Sequence, residues 1–128
     1  MSELYPASTP ALARLRGELA PAPAAAFDAF GEAVFADGAL PAKVKQIIAV
    51  AVAHVTQCPY CIKGHTRLAL SNGATRQELM EAIWVAAEMR AGGTFAHSLI
   101  ALAEMEGAQA HGIDHQHRHA RQAETVDG

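Results

Sequence analysis

Apolar residues recur along the chain every three or four positions, interrupted by proline, glycine and short polar caps, a pattern that predicts consecutive amphipathic helices. Leu12, Leu15 and Leu19 mark a first helix over 10–19, ended by Ala20-Pro21-Ala22-Pro23. Phe27, Phe30, Val34 and Phe35 mark a second over 24–35, with Asp37-Gly38 as its stop. Pro41 suits the first turn of a third helix running to about Gln57. The body of that helix, Ile47-Ile48-Ala49-Val50-Ala51-Val52-Ala53, is apolar on every side, so neighbouring helices or another subunit must cover it. A strand is the competing reading of this β-branched run, but its length and alanines favour helix.

Pro59 permits a fresh start, with Cys58 at the N-cap of a fourth helix to Leu70 that Ser71-Asn72-Gly73 closes. Thr75 and Glu78 have capping-box spacing, and Leu79, Met80, Ile83, Trp84 and Ala87 form the expected buried stripe of the next helix. Met89 is read as core with them. Gly92-Gly93 predicts a break, after which Thr94 to about Gly107 carries Phe95, Leu99, Ile100 and Leu102 on a last helix. Beyond Gly112 the sequence turns polar. The expectation is an all-α bundle of about six helices, one domain over 1–110, with 111–128 a polar, histidine-containing tail expected to be disordered.

Composition supports that class. Hydrophobic residues make up 51% of the 128 and charged residues 18%, which excludes global disorder, and the many alanines favour closely packed helices over a sheet. A formal charge of -3 with scattered basic residues gives no electrostatic footprint for nucleic acid or an anionic membrane. The first residues lack a charged region followed by an apolar run, and no apolar stretch reaches the roughly 18 residues needed to cross a bilayer. A soluble, cytoplasmic protein is expected, with neither nucleic acid nor membrane as partner.

Only two cysteines occur, Cys58 and Cys61. A bridge between them closes too short a loop to constrain the unfolded chain much, so it is a poor structural staple. In a reducing compartment the pair reads as reactive or metal-binding. A helix N-terminus stabilises a thiolate, and Cys58 sits where that help is available. His65 follows Cys61 by four residues and Cys58 by seven, on the same helical face, where an imidazole can exchange protons with a thiol near neutral pH. Nucleophile, resolving thiol and general base are thus within one short segment. Helix-end electrostatics favour Cys58 as the attacking sulfur, while the spacing to His65 favours Cys61.

The bland alternative is a pair of inert core cysteines. A sharper one is a metal site, since His54, Cys58, Cys61 and His65 form H-x3-C-x2-C-x3-H. On a continuous helix these four spread over about 16 Å, too far for one tetrahedral ion, unless a sharp break at Pro59 gathers them. In that reading the protein is a non-enzymatic oligomer that binds metal or senses redox state. His54 is otherwise placed at a helix interface, and Tyr60 in a packing role or beside the thiols. His111, His115, His117 and His119 in the tail invite a test for adventitious metal binding, although their polar company favours a solvated segment.

The run from Leu40 to Ala53, followed by Gln57-Cys58-Pro59-Tyr60-Cys61 and His65, resembles the carboxymuconolactone decarboxylase-like superfamily. Within it the likeness is to the alkyl hydroperoxidase D-type branch. It covers about residues 25–106, and Gly73-Ala74-Thr75, Glu78-Leu79 and Glu81-Ala82 extend it. The resemblance implies an all-helical homo-oligomer, a trimer or hexamer, that works without a cofactor as a thiol peroxidase or disulfide reductase. Its expected partners are a hydroperoxide substrate and a dithiol or thioredoxin-like reductant, and its catalytic residues are Cys58, Cys61 and His65. Decarboxylases of the superfamily lack the cysteine pair, so their reaction is not expected.

One position departs from the pattern. Relay-using members commonly carry a glutamate twelve residues before the first cysteine, where this chain has Gln46. Glutamine can orient an imidazole or a water but cannot take a proton. Glu32 on the preceding helix is the candidate substitute carboxylate, set against the plain reading of a solvated surface charge.

Overall fold

Thr9 accepts a hydrogen bond from the Leu12 N–H at 3.2 Å and Pro10 takes the first helical position, so α1 (Pro10–Leu19) starts with a side-chain cap. In the computed structural model, which describes residues 4–124, every regular element is helical. The prolines expected to separate the first two helices instead lie in the opening turn of α2 (Pro21–Phe35), where missing N–H groups cost no helical bond. Asp37 caps α3 (Ala42–Thr56) by accepting from the Ala42 N–H at 2.6 Å. The helical reading of the apolar run 47–53 therefore holds, and the strand alternative does not.

The turn from α3 into α4 (Pro59–Ser71) is tight, and these two helices pack on each other most extensively. Val50 of α3 and Ala69 of α4 are completely buried. Ala74 and Leu79 complete the cluster, with Ile47 and Ile83 against it. Gly73, at φ 89°, supplies the left-handed residue that ends α4, and the Ala74 N–H returns to the Ala69 carbonyl at 2.9 Å. Thr75 and Glu78 form a reciprocal capping box, Thr75 N–H to Glu78 Oε1 at 2.8 Å and Glu78 N–H to Thr75 Oγ1 at 3.1 Å. Lys43 reaches Glu78 from α3 at 3.2 Å.

The last element, α5 (Arg76–Glu124), corrects two expectations. Gly92-Gly93 does not break it, so the described residues hold five helices rather than six. Glycine costs a helix interior only about 1 kcal/mol relative to alanine, and the surrounding alanine, glutamate and methionine residues are good helix formers. The buried stripe is also narrower than the sequence suggests. Leu79 and Ala86 are buried and Ile83 partly so, whereas Met80, Trp84, Met89 and Ala87 are exposed. The backbone of 111–124, where polar composition predicts disorder, is helical; residues 125–128 lie outside the described residues.

The described residues fall into two compact units that divide between Ala87 and Glu88. The first holds α1 to α4, the opening of α5 and all the chemistry below. In it Phe27, Phe30 and Trp84 are largely exposed. The second is helical over its described residues, 88–124, and exposes Phe95, Leu99, Ile100 and Met105. No helix is long and apolar enough to cross a membrane among the described residues.

Candidate functional site

A left-handed residue sets the site. Gln57, at φ 59° and ψ 45°, ends α3 with its N–H on the Ala53 carbonyl, which also accepts from the Cys58 N–H at 3.2 Å. The next residue returns to extended backbone, φ -99° and ψ 105°, and Cys58 becomes the N-cap of α4 with Pro59 in the first turn. Its Sγ accepts the Cys61 N–H at 3.3 Å. A sulfur thus occupies the place that a serine or aspartate oxygen usually holds at a helix start.

Both cysteines are unbridged and partly buried. Their ionisation is divided. The Cys58 thiol is pulled below its ordinary range, chiefly because the Cys61 thiol donates to its sulfur, with the N–H groups of Cys61 and Tyr60 adding to the effect against a smaller penalty from burial. The Cys61 thiol is pushed up, because it is the donor to Cys58, because it is partly desolvated and because it faces the negative charge on Cys58. The arrangement makes Cys58 the more readily ionised of the two sulfurs and Cys61 the one that holds its proton more tightly.

His65 lies one helical turn beyond Cys61 on α4. Its Nδ1 is 2.8 Å from Gln46 Oε1 on α3. An amide oxygen only accepts, so Nδ1 is the donor in this contact. Gln46 is 5% exposed, a buried polar side chain whose partner is the imidazole. Phe35, from the end of α2, stacks on the ring with centroids 5.2 Å apart and planes 27° from parallel. Three helices therefore fix one imidazole.

The structure brings Gln46 to His65 and Cys58 to Cys61. Glu32 is exposed on α2, and among the described residues its carboxylate makes no hydrogen bond or ion pair, so the contact to the imidazole is Gln46's. His54 is partly buried, and its Nδ1 donates to the Val50 carbonyl at 2.7 Å within its own helix. Tyr60 turns to the N-terminal segment, donating to the Pro6 carbonyl at 2.7 Å, with Tyr5 edge-on to its ring. Among the described residues no three histidine, cysteine, aspartate or glutamate side chains gather to hold a metal ion. His111 is exposed, and the side chains of His115, His117 and His119 lie outside the described ones. Sequence reasoning missed Phe35 as part of the site and Tyr5 and Pro6 as partners of Tyr60. Phe35 reads only as one aromatic in a helical stripe, and nothing local links residues 6 and 60.

A helical protein with a C-x-x-C at a helix N-terminus and a histidine one turn further on is thereby defined. Residues 21–104 match the carboxymuconolactone decarboxylase family, and the chain belongs to that family. It is 55% identical over 107 residues to an uncharacterized protein of the cox locus of Paracoccus denitrificans, covering 79% of this chain and 96% of the relative. An uncharacterized protein from Cupriavidus necator is 38% identical over 94 residues, 73% of this chain and 83% of its own. Two solved structures share the fold. One is an apo carboxymuconolactone decarboxylase family protein from Legionella pneumophila, 40% identical with a TM-score of 0.57 over 61% of this chain and 69% of that one. The other, from Methanobacterium thermoautotrophicum, is 38% identical with a TM-score of 0.60 over 63% and 91%.

Proposed function

We propose that the protein is a thiol-dependent peroxidase and disulfide reductase of the alkyl hydroperoxidase D type, in which Cys58 attacks, Cys61 resolves and His65 manages protons. The observation that carries this reading is the Cys58 sulfur at the α4 N-cap, accepting the Cys61 N–H at 3.3 Å with its thiol pKa drawn down while that of Cys61 is driven up. A hydrogen bond between two thiols at a helix start, which lowers one pKa and raises the other, suits a nucleophile and a resolving partner.

In the proposed cycle the Cys58 thiolate attacks the terminal oxygen of a hydroperoxide. The O–O bond breaks, the alkoxide leaves as alcohol after taking a proton, and Cys58 becomes a sulfenic acid. Cys61 then loses its proton and attacks the Cys58 sulfur; the S–O bond breaks, water leaves and a disulfide forms. His65 accepts and returns protons through Nε2, while Gln46 holds the ring. An external dithiol, a thioredoxin-like protein or a small molecule, restores both thiols by exchange. Gln46 takes no proton in this scheme, so His65 works without a carboxylate behind it.

A homo-oligomer, trimer or hexamer, is part of the proposal. Phe27, Phe30 and Trp84 in the first unit and Phe95, Leu99 and Ile100 in the second are each at least 64% exposed, a load of apolar surface that a soluble monomer rarely carries. Cys58→Ser and Cys61→Ser variants treated with one equivalent of hydroperoxide test the chemistry. Cys61→Ser should accumulate a dimedone-reactive sulfenic acid, and Cys58→Ser should stay unreactive. A sulfenic acid that forms equally well on Cys61 overturns the assignment of roles.

A further inference from the structure

Alongside the C-x-x-C turn, on another face of α4, lies a cavity of about 400 Å³. Tyr5 and Pro6 of the N-terminal segment form one wall, and Pro59, Tyr60, Lys63 and Arg67 form the other. The segment is anchored rather than merely adjacent. Tyr60 donates its hydroxyl to the Pro6 carbonyl at 2.7 Å, and the two tyrosine rings meet edge to face at 6.2 Å and 71°. The phenol oxygen of Tyr60 is thereby engaged, which leaves ring faces and edges to line the space.

The charge of the lining has one sign. Lys63 and Arg67 stand one helical turn apart, and among the described residues no aspartate or glutamate lines the cavity. Neither cation has a hydrogen bond or ion pair among the described residues, although Glu78 pairs with Lys43 elsewhere in the same unit. A guanidinium fork and an ammonium one turn apart suit a carboxylate, and the aromatic wall suits an apolar body beside it. The volume lies in the range of small-molecule sites. The positions 60, 63, 64 and 67 share a helical face that is not the face of Cys61 and His65, so the cavity is separate from the dithiol.

We propose that this cavity is a binding site for a small organic anion with an aromatic or aliphatic body ended by one carboxylate. The site does not depend on the thiol chemistry. It stands or falls independently of the peroxidase reading, and a Cys58→Ser, Cys61→Ser double variant should keep it intact.

The test is a titration of the full-length, isotope-labelled chain with 4-phenylbutyrate, followed by amide NMR. Saturable shifts should appear in residues 5–8 and 60–67. The neutral isostere 4-phenylbutan-1-ol should bind about tenfold more weakly, as should inorganic phosphate, which has the charge without the body. Lys63→Gln and Arg67→Gln, which keep good helix formers on an exposed face, should each weaken 4-phenylbutyrate about tenfold with an unchanged circular dichroism spectrum. Tyr60→Phe, which removes the hydroxyl that holds Pro6, should weaken it too. Equal affinity for the alcohol, equal affinity for phosphate, or unchanged affinity in both charge variants would overturn the proposal.

Discussion

His65 Nδ1 lies 2.8 Å from Gln46 Oε1, a contact that ties α4 to α3 across nineteen positions of sequence. The uncharged amide orients the imidazole through that nitrogen. Replacing Gln46 by glutamate puts a negative charge at the same place and stabilises the imidazolium. The midpoint of the His65 ring titration, followed by NMR, should move to higher pH in Gln46→Glu, and the pH dependence of peroxide reactivity should move with it. Gln46→Leu should leave the Nδ1 proton unpaired in a buried setting, costing about 1–3 kcal/mol in urea unfolding.

The divided ionisation of the cysteines predicts a pH order. The reactive form is the thiolate, which disappears as pH falls through the thiol pKa. Because the Cys58 pKa is lowered and the Cys61 pKa is raised, Cys58 should keep reacting with iodoacetamide at pH values where Cys61 does not. Site-resolved mass spectrometry of alkylation against pH checks this. In Cys61→Ala the Cys58 profile should shift to higher pH, since the principal donor to its sulfur has gone.

Gln57 holds a left-handed backbone at φ 59°, a conformation that costs an L-residue about 1–2 kcal/mol and glycine almost nothing. Gln57→Gly should therefore raise unfolding stability by about 1 kcal/mol, less the entropy that glycine adds to the unfolded chain. Equilibrium urea unfolding reads this directly. A loss of stability would show that the Gln57 side chain contributes more than its backbone costs.

Glu78 is held below the usual carboxylate range, first by the Thr75 N–H and then by Lys43. A depressed folded-state pKa gives stability that is present above the unfolded carboxyl value and is lost as pH falls through the folded one. Glu78→Gln should flatten the acid limb of the stability curve and leave its slope near neutrality unchanged, as thermal unfolding between acid and neutral pH will show.

Exposed apolar side chains predict assembly. Light scattering should give a multiple of the 13.5 kDa chain mass, and Leu99→Glu with Ile100→Glu should shift it toward one chain. An unaltered multiple in that variant would remove these two residues from the interface.

The elements legible in the sequence were those with local signals. Pro59 after Cys58 and the Thr75–Glu78 box mark helix starts through groups within four residues of each other, and both stand where expected. Gly92-Gly93 misled because glycine punctuates a chain only when nearby residues do not favour helix strongly enough to carry through it. Periodicity points Trp84 and Met80 into the core, yet both are exposed, because periodicity identifies an apolar face but not whether this chain alone can cover it. In the site, the Cys58–Cys61 relationship is local and legible. The hold of Gln46 and Phe35 on His65 is tertiary, set by how α2, α3 and α4 pack, and the family pattern pointed to position 46 only as a departure.

The most direct measurement is the number of free thiols per chain before and after one equivalent of alkyl hydroperoxide, followed by dithiothreitol. The account predicts two thiols lost together within one turnover, an intramolecular disulfide by mass, and full recovery on reduction. Thiols that survive the peroxide, or a sulfinic acid that dithiothreitol cannot reverse, would contradict it.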